Sequence, residues 1–406
     1  MLMAAIRPLR MVLILPPRLA VWLFLPWLCL PIVHLTAAAA SNPLQLRPAT
    51  NLYAGGVLLN VGTYAIPCVT DWNGDGKKDL LVGYQTDGMI RVYTNSGTDA
   101  RPVFTSYYLL QAGGTNIQHT SSGCGAPAAW VCDFDGDGKR DLLVGSGTDG
   151  RVNFYRNTNT DAHPILEGGR LLTNGSLVLT VGLRATPFIH DWDEDGLPDL
   201  LCGDGTGNVW FFKNTNTAQG PIYAAGVQIK ANGAALNPGA RSVVRVFDWD
   251  GDGLKDLVCS SATGVYWCRN TNSNSNPILQ APLALQVPAA ASSNLVAINT
   301  GARMRLDLVD WNNDGVMDLI LGNADGTVFY YEGYRFAFTS PACPPSGTLA
   351  LQWNSAPCLK YNLLVGSLVT NIQAKIATNV PSGGLTTCWT NVPQGSQQFY
   401  RVQIAP

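Results

Sequence analysis

One nine-residue pattern occurs five times along the chain, and it limits the possible folds more than any other feature. It reads Asp71-Trp-Asn-Gly-Asp-Gly-Lys-Lys-Asp79, Asp133-Phe-Asp-Gly-Asp-Gly-Lys-Arg-Asp141, Asp191-Trp-Asp-Glu-Asp-Gly-Leu-Pro-Asp199, Asp248-Trp-Asp-Gly-Asp-Gly-Leu-Lys-Asp256 and Asp310-Trp-Asn-Asn-Asp-Gly-Val-Met-Asp318. The starts lie 62, 58, 57 and 62 residues apart, so the repeating unit is close to sixty residues. A unit of that size buries no core by itself and must pack against its neighbours.

Every unit carries the same succession of strand signals. A short apolar stretch enters the acidic loop (Ala65 to Thr70, Pro187 to His190), and a second follows at once, as in Leu80-Leu-Val-Gly83 and Leu142-Leu-Val-Gly145. A Gly turn such as Thr86-Asp-Gly88 makes a hairpin to an aromatic third strand, as in Trp210-Phe-Phe212 and Phe329-Tyr-Tyr331. An Asn/Thr-rich loop and a looser fourth strand, such as Ile165 to Leu172, close the unit. Four antiparallel strands per unit, repeated, predict an all-β chain forming a five-bladed β-propeller. The last unit stops after its third strand, at Tyr331 to Tyr334. Asn51 to Asn60 resembles Pro221 to Lys230, so the N-terminal strand is expected to complete the fifth blade and close the ring, leaving no open sheet edge. A solenoid is the structural alternative.

Composition agrees. The chain holds 42 Gly and 25 Pro but only three Glu, which is unlike a helical bundle, and 46% apolar residues argue against disorder. A formal charge of −2, from 26 basic and 28 acidic residues, excludes a strongly basic nucleic-acid binder.

The ends are read separately. Residues 1–40 have the form of a signal peptide: Arg7, Arg10 and Arg18 precede the apolar run Leu19 to Val33, and Ala37 to Ala40 supply the small residues, with cleavage expected before Ser41. A membrane anchor is the competing reading, but that run contains Pro26 and Pro31 and falls short of the ~20 residues a span needs. The mature protein is then expected to be secreted or at the cell surface, periplasm included, with no transmembrane segment. The propeller takes residues 41–334 and a Pro-rich linker residues 335–347. Five further strand candidates in residues 348–406 suggest a small C-terminal β-sandwich. Of ten cysteines, nine remain after cleavage. Cys259 and Cys268 flank one turn and suit a cross-strand bridge, while Cys343, Cys358 and Cys388 sit near the C-terminus.

The chemistry lies in the loops. Side-chain oxygens stand at positions 1, 3, 5 and 9, a backbone carbonyl is available at position 7, and position 6 is always Gly. Oxygen donors at alternate residues around a sharp turn suit one hard cation, and Ca2+ fits the irregular set better than Mg2+. The expected ligands are Asp71, Asn73, Asp75, Lys77 and Asp79; Asp133, Asp135, Asp137, Lys139 and Asp141; Asp191, Asp193, Asp195, Leu197 and Asp199; Asp248, Asp250, Asp252, Leu254 and Asp256; and Asp310, Asn312, Asp314, Val316 and Asp318, with position 7 acting through its carbonyl. That gives up to five Ca2+ ions. Eighteen Asp fill these positions, and unmetallated they repel at close range. Acid/base catalysis is the weaker reading, because an active site is normally built once from non-equivalent residues.

Other residue types are expected to be structural. The position-2 aromatics (Trp72, Phe134, Trp192, Trp249, Trp311) are expected to pack between blades, with sugar-stacking platforms as the alternative. His119, His163 and His190 share no repeat position and form no zinc pattern. Arg241/Arg245 and Arg303/Arg305 are taken as surface charge, with anionic glycan binding as the alternative.

These residues resemble the FG-GAP/VCBS repeat family, the propeller repeats also found in integrin α-chain heads. The likeness covers about residues 50–334, rests on all five loops followed by Leu-[LVI]-[VCL]-[GS], and includes a literal Gly125-Ala126-Pro127. It implies that Asp71, Asn73, Asp75, Asp79 and their counterparts are calcium ligands. The tail (Leu351-Gln-Trp353, Tyr361, Gln398-Phe-Tyr-Arg-Val402) is similar to small fibronectin-III-like modules of exported proteins.

The expected function is a calcium-stabilised ligand-binding or adhesion module for a glycan or protein, without catalytic activity. The alternatives are a polysaccharide lyase or hydrolase on the same scaffold, or a structural cell-surface protein. Cleavage leaves 23 basic and 28 acidic residues, hence −5, and five divalent ions bring the mature chain to +5. Anionic glycans or surfaces are therefore reasonable partners.

Overall fold

The computed structural model describes residues 11–14, 36–37, 43–119, 126–174, 176–216, 220–289, 294–335, 338–342, 349–354, 360–366, 374–381, 386–391 and 399–404. Among them every regular element is a β-strand, and no helix is long and apolar enough to cross a membrane.

Five four-stranded antiparallel sheets form the blades. Their inner strands are Ile66–Thr70, Ala128–Cys132, Thr186–His190, Val243–Phe247 and Arg305–Val309, for blades 1 to 5 in order. The second strands are Asp79–Tyr84, Asp141–Gly145, Asp199–Gly203, Asp256–Ser260 and Asp318–Gly322. They are buried throughout, because each is covered on both faces by neighbouring blades, and this accounts for their unbroken Leu/Val runs. Four of these strands carry Gly at the register that faces the next blade. A Cβ at Gly83, Gly145, Gly203 or Gly322 would overlap the carbonyl of Pro127, Ala185, Ser242 or Ala65, respectively. The last pair joins blade 5 to blade 1, so the same close approach runs round the ring.

Closure comes from the N-terminal segment. Thr50–Asn51 forms the outer strand of blade 5 on Val328–Tyr331, and Gln45–Leu46 pairs with Gly333–Tyr334. The register differs from the sequence alignment by seven residues. Thr50–Asn51 matches Val227–Gln228 of blade 3, and the hairpin Tyr53–Ala54/Val57–Leu58 matches Lys230–Ala231/Ala234–Ala235. The turns decide this: Gly55-Gly56 and Asn232-Gly233 both take positive φ at two consecutive residues, the type I′ pattern that matches strand twist.

The core lies between blades rather than within them. The rings of Trp72, Phe134, Trp192, Trp249 and Trp311 are all buried, each in a cluster shared by two neighbouring blades, which excludes them as sugar platforms. Cys259 and Cys268 are both free thiols. The register sets Cys259 opposite Tyr266 and Cys268 opposite Leu257, so the two are diagonal neighbours instead of the facing pair a disulfide requires.

Beyond the propeller, Leu349–Asn354 pairs with Thr386–Asn391 and with Phe338–Ala342, a strand inside the expected linker. Lys360–Gly366 pairs with Ala374–Pro381 and Phe399–Ile404, and Met11–Ile14 lies along Phe399–Ile404. Cys343 and Cys358 lie outside the described residues.

Candidate metal centres

Each acidic loop joins the inner strand to the second strand at one end of its blade. Two residues per loop hold positive φ: the Gly at position 6 and the residue at position 4, which is Gly74, Gly136, Glu194, Gly251 or Asn313. Only the first was evident in the sequence, because position 4 varies in residue type. Both positions are exposed in all copies, so the loop opens to solvent.

The ninth-position Asp organises the turn. Asp79, Asp141, Asp199, Asp256 and Asp318 are fully buried. One oxygen of each accepts the N–H of the position-2 aromatic at 2.9–3.1 Å. The other accepts an N–H at 2.7–2.8 Å from the residue two beyond the third strand: Asn95, Asn157, Asn214, Asn270 or Gly333. Burial pushes the carboxyls of Asp141, Asp199 and Asp318 up to about 6 and that of Asp256 up to about 7, and raises Asp79 too. The position-1 carboxylates of Asp71, Asp133, Asp191, Asp248 and Asp310 accept the N–H of the position-6 Gly at 2.9–3.1 Å.

In blades 2 to 4, positions 1, 3 and 9 converge. In blades 2, 3 and 4 the triads Asp133/Asp135/Asp141, Asp191/Asp193/Asp199 and Asp248/Asp250/Asp256 each place three carboxylate oxygens within 4.8 Å of one another. Asp191 Oδ1, Asp193 Oδ1 and both oxygens of Asp250 are buried and accept no hydrogen bond. Orphaned buried carboxylate oxygens at the centre of a hard-donor set fit a divalent cation. Blades 1 and 5 present Asn73 and Asn312 at position 3, and Asn312 Nδ2 donates to Asp314 Oδ2 at 3.0 Å.

The position-5 carboxylates also make contacts of their own. Asp75, Asp137, Asp195, Asp252 and Asp314 stand outside the converging triads, each accepting the N–H of its position-7 residue (Lys77, Lys139, Leu197, Leu254, Val316) at 2.8–3.1 Å. In blades 2 to 4 a cation directly after the third strand spans positions 3 and 5. Arg156 reaches Asp135 at 2.6 Å and Asp137 at 2.8 Å; Lys213 contacts Asp193 and lies 2.7 Å from Asp195; Arg269 lies 2.7 Å from Asp250 and 2.8 Å from Asp252. Arg269 Nε does not point along a hydrogen bond, so the Asp250 oxygens stay unsatisfied. The equivalent residues are Thr94 in blade 1 and Glu332 in blade 5. The cation is thus present where position 3 is Asp and missing where it is Asn. Neighbouring loops are also tied together: Arg140 reaches Asp71 at 3.4 Å and Lys255 the Asp191 carbonyl at 2.6 Å.

The inner strands line an axial channel that is plugged by side chains. Arg245 and Asp307 form a buried ion pair at 2.7 Å, and Asp307 also accepts the Val69 N–H at 2.7 Å. The Arg245 guanidinium lies 4.7 and 5.1 Å from the ring centroids of Trp130 and Phe188. Arg245 and Arg305 are therefore core residues, contrary to their reading as surface charge. His119 Nε2 is 2.9 Å from the Tyr155 hydroxyl, and His190 stacks on Phe188. Neither joins one of the candidate metal clusters among the described residues.

The model of the FG-GAP-like repeat matches residues 191–259 and 248–321. Integrin alpha-4 of Xenopus laevis is 30% identical over 161 residues, covering 37% of this chain, and the chain spans 15% of that protein's length. Among solved structures, an Agrocybe aegerita lectin that recognises non-reducing terminal N-acetylglucosamine has 15% identity and a TM-score of 0.35, covering 88% of this chain and 97% of its own. The Photorhabdus luminescens Tc holotoxin pore has 17% identity and a TM-score of 0.33, covering 85% of this chain and 15% of its own. At these TM-scores neither likeness bears on function. Residues 191–321 thus match FG-GAP-like repeats, and the same acidic loop recurs in each of the five blades.

Proposed function

We propose that the chain is an exported, calcium-braced propeller that binds a glycan or protein ligand through its loops and performs no catalysis. The observation that carries the calcium reading is the convergence of positions 1, 3 and 9 on orphaned buried carboxylate oxygens, above all those of Asp250. Position 5 or a position-7 carbonyl, together with water, would complete the ~6–8 oxygens that Ca2+ takes. The ion's contribution is electrostatic: it neutralises the gathered Asp side chains and so pins the inner strand to the second strand. Similarity to integrin alpha-4 supports a ligand-binding and extracellular role.

Ligand contact is assigned to the space between blades and to the loops. A cleft of about 260 Å³ between blades 5 and 1, lined by Asn51, Tyr53, Asp99, Phe104, Asn312 and Tyr330, combines aromatic edges with polar groups at near ligand size. A glycan array and a panel of extracellular proteins, each probed in calcium and in chelator, test the binding role. Calcium-dependent retention of one ligand class is the expected result. A parallel polysaccharide-depolymerisation screen tests the absence of catalysis, and released oligosaccharides would replace this reading with an enzymatic one.

A further inference from the structure

The second mouth of the channel, opposite the acidic loops, has a chemistry that the calcium reading leaves unused. Two residues before the start of each inner strand the ring presents Tyr64, Ala126, Arg184, Arg241 and Arg303, one per blade. Four of them are held at positive φ: Tyr64 at 53°, Arg184 at 52°, Arg241 at 66° and Arg303 at 63°. Glycine or asparagine sits there comfortably, whereas an arginine or tyrosine is strained. Strain repeated at one register around one opening marks a place where those side chains are wanted.

Arg184, Arg241 and Arg303 line a small cavity together with Arg305, Tyr64 and Thr186. Its volume is about 20 Å³, somewhat more than one water molecule requires. Among the described residues no acidic one lines it. Arg305 is 6% exposed, and its Nη1 donates to the carbonyls of Arg241 at 2.6 Å and Met304 at 3.0 Å. No carboxylate lies within ion-pair distance of Arg184, Arg303 or Arg305 among the described residues, and Arg184 Nε is buried without a hydrogen-bond partner. Arg303 is fixed over the Tyr64 ring at 4.1 Å. Burial, followed by the Arg241, Arg184 and Arg303 charges, lowers the Arg305 guanidinium to about 9. Deeper in the channel the contrast is plain, since Arg245 has Asp307 as its counter-ion.

We propose that this mouth is an anion site that takes one small oxyanion group, a carboxylate or a sulfate, on the guanidiniums of Arg184, Arg303 and Arg305. Guanidinium forks match such groups through paired charge-assisted hydrogen bonds, and the enclosed, acid-free setting strengthens them. The cavity holds little more than one water-sized atom, so a bound oxyanion seats one oxygen inside with the rest at the mouth, and only a protruding group or a free ion reaches it.

The test uses the full chain, with sodium acetate, sodium glucuronate or sodium sulfate titrated against sodium chloride at matched ionic strength. Melting temperature and heat of binding are read in calcium and again in metal-stripped protein, so failure of the calcium reading leaves this result interpretable. A saturable rise with acetate and glucuronate assigns a carboxylate, and one with sulfate alone assigns a tetrahedral anion; either supports the site. Arg303→Asn, which suits the positive φ, and Arg184→Gln should each weaken binding at least tenfold. Arg151→Gln, on an exposed pair with Asp149, should leave it unchanged. The site is refuted if chloride gives the same rise, or if both cavity variants bind as well as the parent.

Discussion

Removing metal should reverse the sign of the protein's pH dependence. In metal-free protein, burial holds the ninth-position carboxyls of Asp141, Asp199 and Asp318 at about 6 and Asp256 at about 7. In the unfolded chain they return to about 3.9. Between those values the folded state binds more protons than the unfolded state, so folding is favoured by acid and stability falls as pH rises. A two-unit shift corresponds to at most about 3 kcal/mol per group; halving it because the loops open to water leaves roughly 1–1.5 each. Four such loops amount to roughly 4–6 kcal/mol between pH 8 and pH 4.5. His119 and His190 act in the opposite direction. Burial lowers their pKa values, so they cost stability as pH falls below about 6.5 and reduce the net gain to a few kcal/mol. Asp99, Asp137, Asp149, Asp195 and Asp204 are held below the ordinary carboxylate value, so their contribution is lost only beneath this window. Urea unfolding of metal-stripped protein should therefore show a higher midpoint at pH 5 than at pH 7.5. In saturating calcium the order should invert, because protons then compete with the ion. A metal-stripped midpoint that drops steadily on acidification would refute the reasoning.

Arg269→Met removes a positive charge 2.7 Å from Asp250, so calcium affinity of that loop should rise about tenfold while metal-free stability falls by about 1–2 kcal/mol; calcium titration and urea melts measure the two effects. Asp307→Asn strands the buried Arg245 guanidinium and should cost about 3–5 kcal/mol in urea melts at saturating calcium. Leu59→Ala empties a site packed against Trp311, Ile320 and Val328, where the N-terminal segment closes the ring. It should cost about 2–5 kcal/mol, and a loss below 1 would mean that closure contributes little.

The fold was legible because the acidic loop marks phase: once five loops are aligned, strand order, blade count and closure by the N-terminal segment follow. The closing register was not, because the Tyr-Ala stretch at Asn51 to Asn60 matches Pro221 to Lys230 in letters, while the type I′ turns at Gly55-Gly56 and Asn232-Gly233 align it seven residues further on. Among the candidate ligands, the carboxylates at positions 1, 3 and 9 lie within 4.8 Å of one another in blades 2 to 4. In those three blades position 5 also meets a cation directly after the third strand, a partner some twenty residues away that loop spacing cannot reveal. Arg245 and Arg305 were hidden for a different reason. An inner strand of a closed ring has a channel side, and only closure turns an alternating Arg inward.

Direct calcium counting tests the central claim. Metal-stripped protein titrated with CaCl2 by calorimetry, with melting followed in parallel, should take up three to five ions per chain, the Asp250 loop among them. Each occupied site should add about 2.7 kcal/mol at a hundredfold excess over its Kd. Uptake of less than one ion per chain, with an unchanged melting temperature, would contradict it.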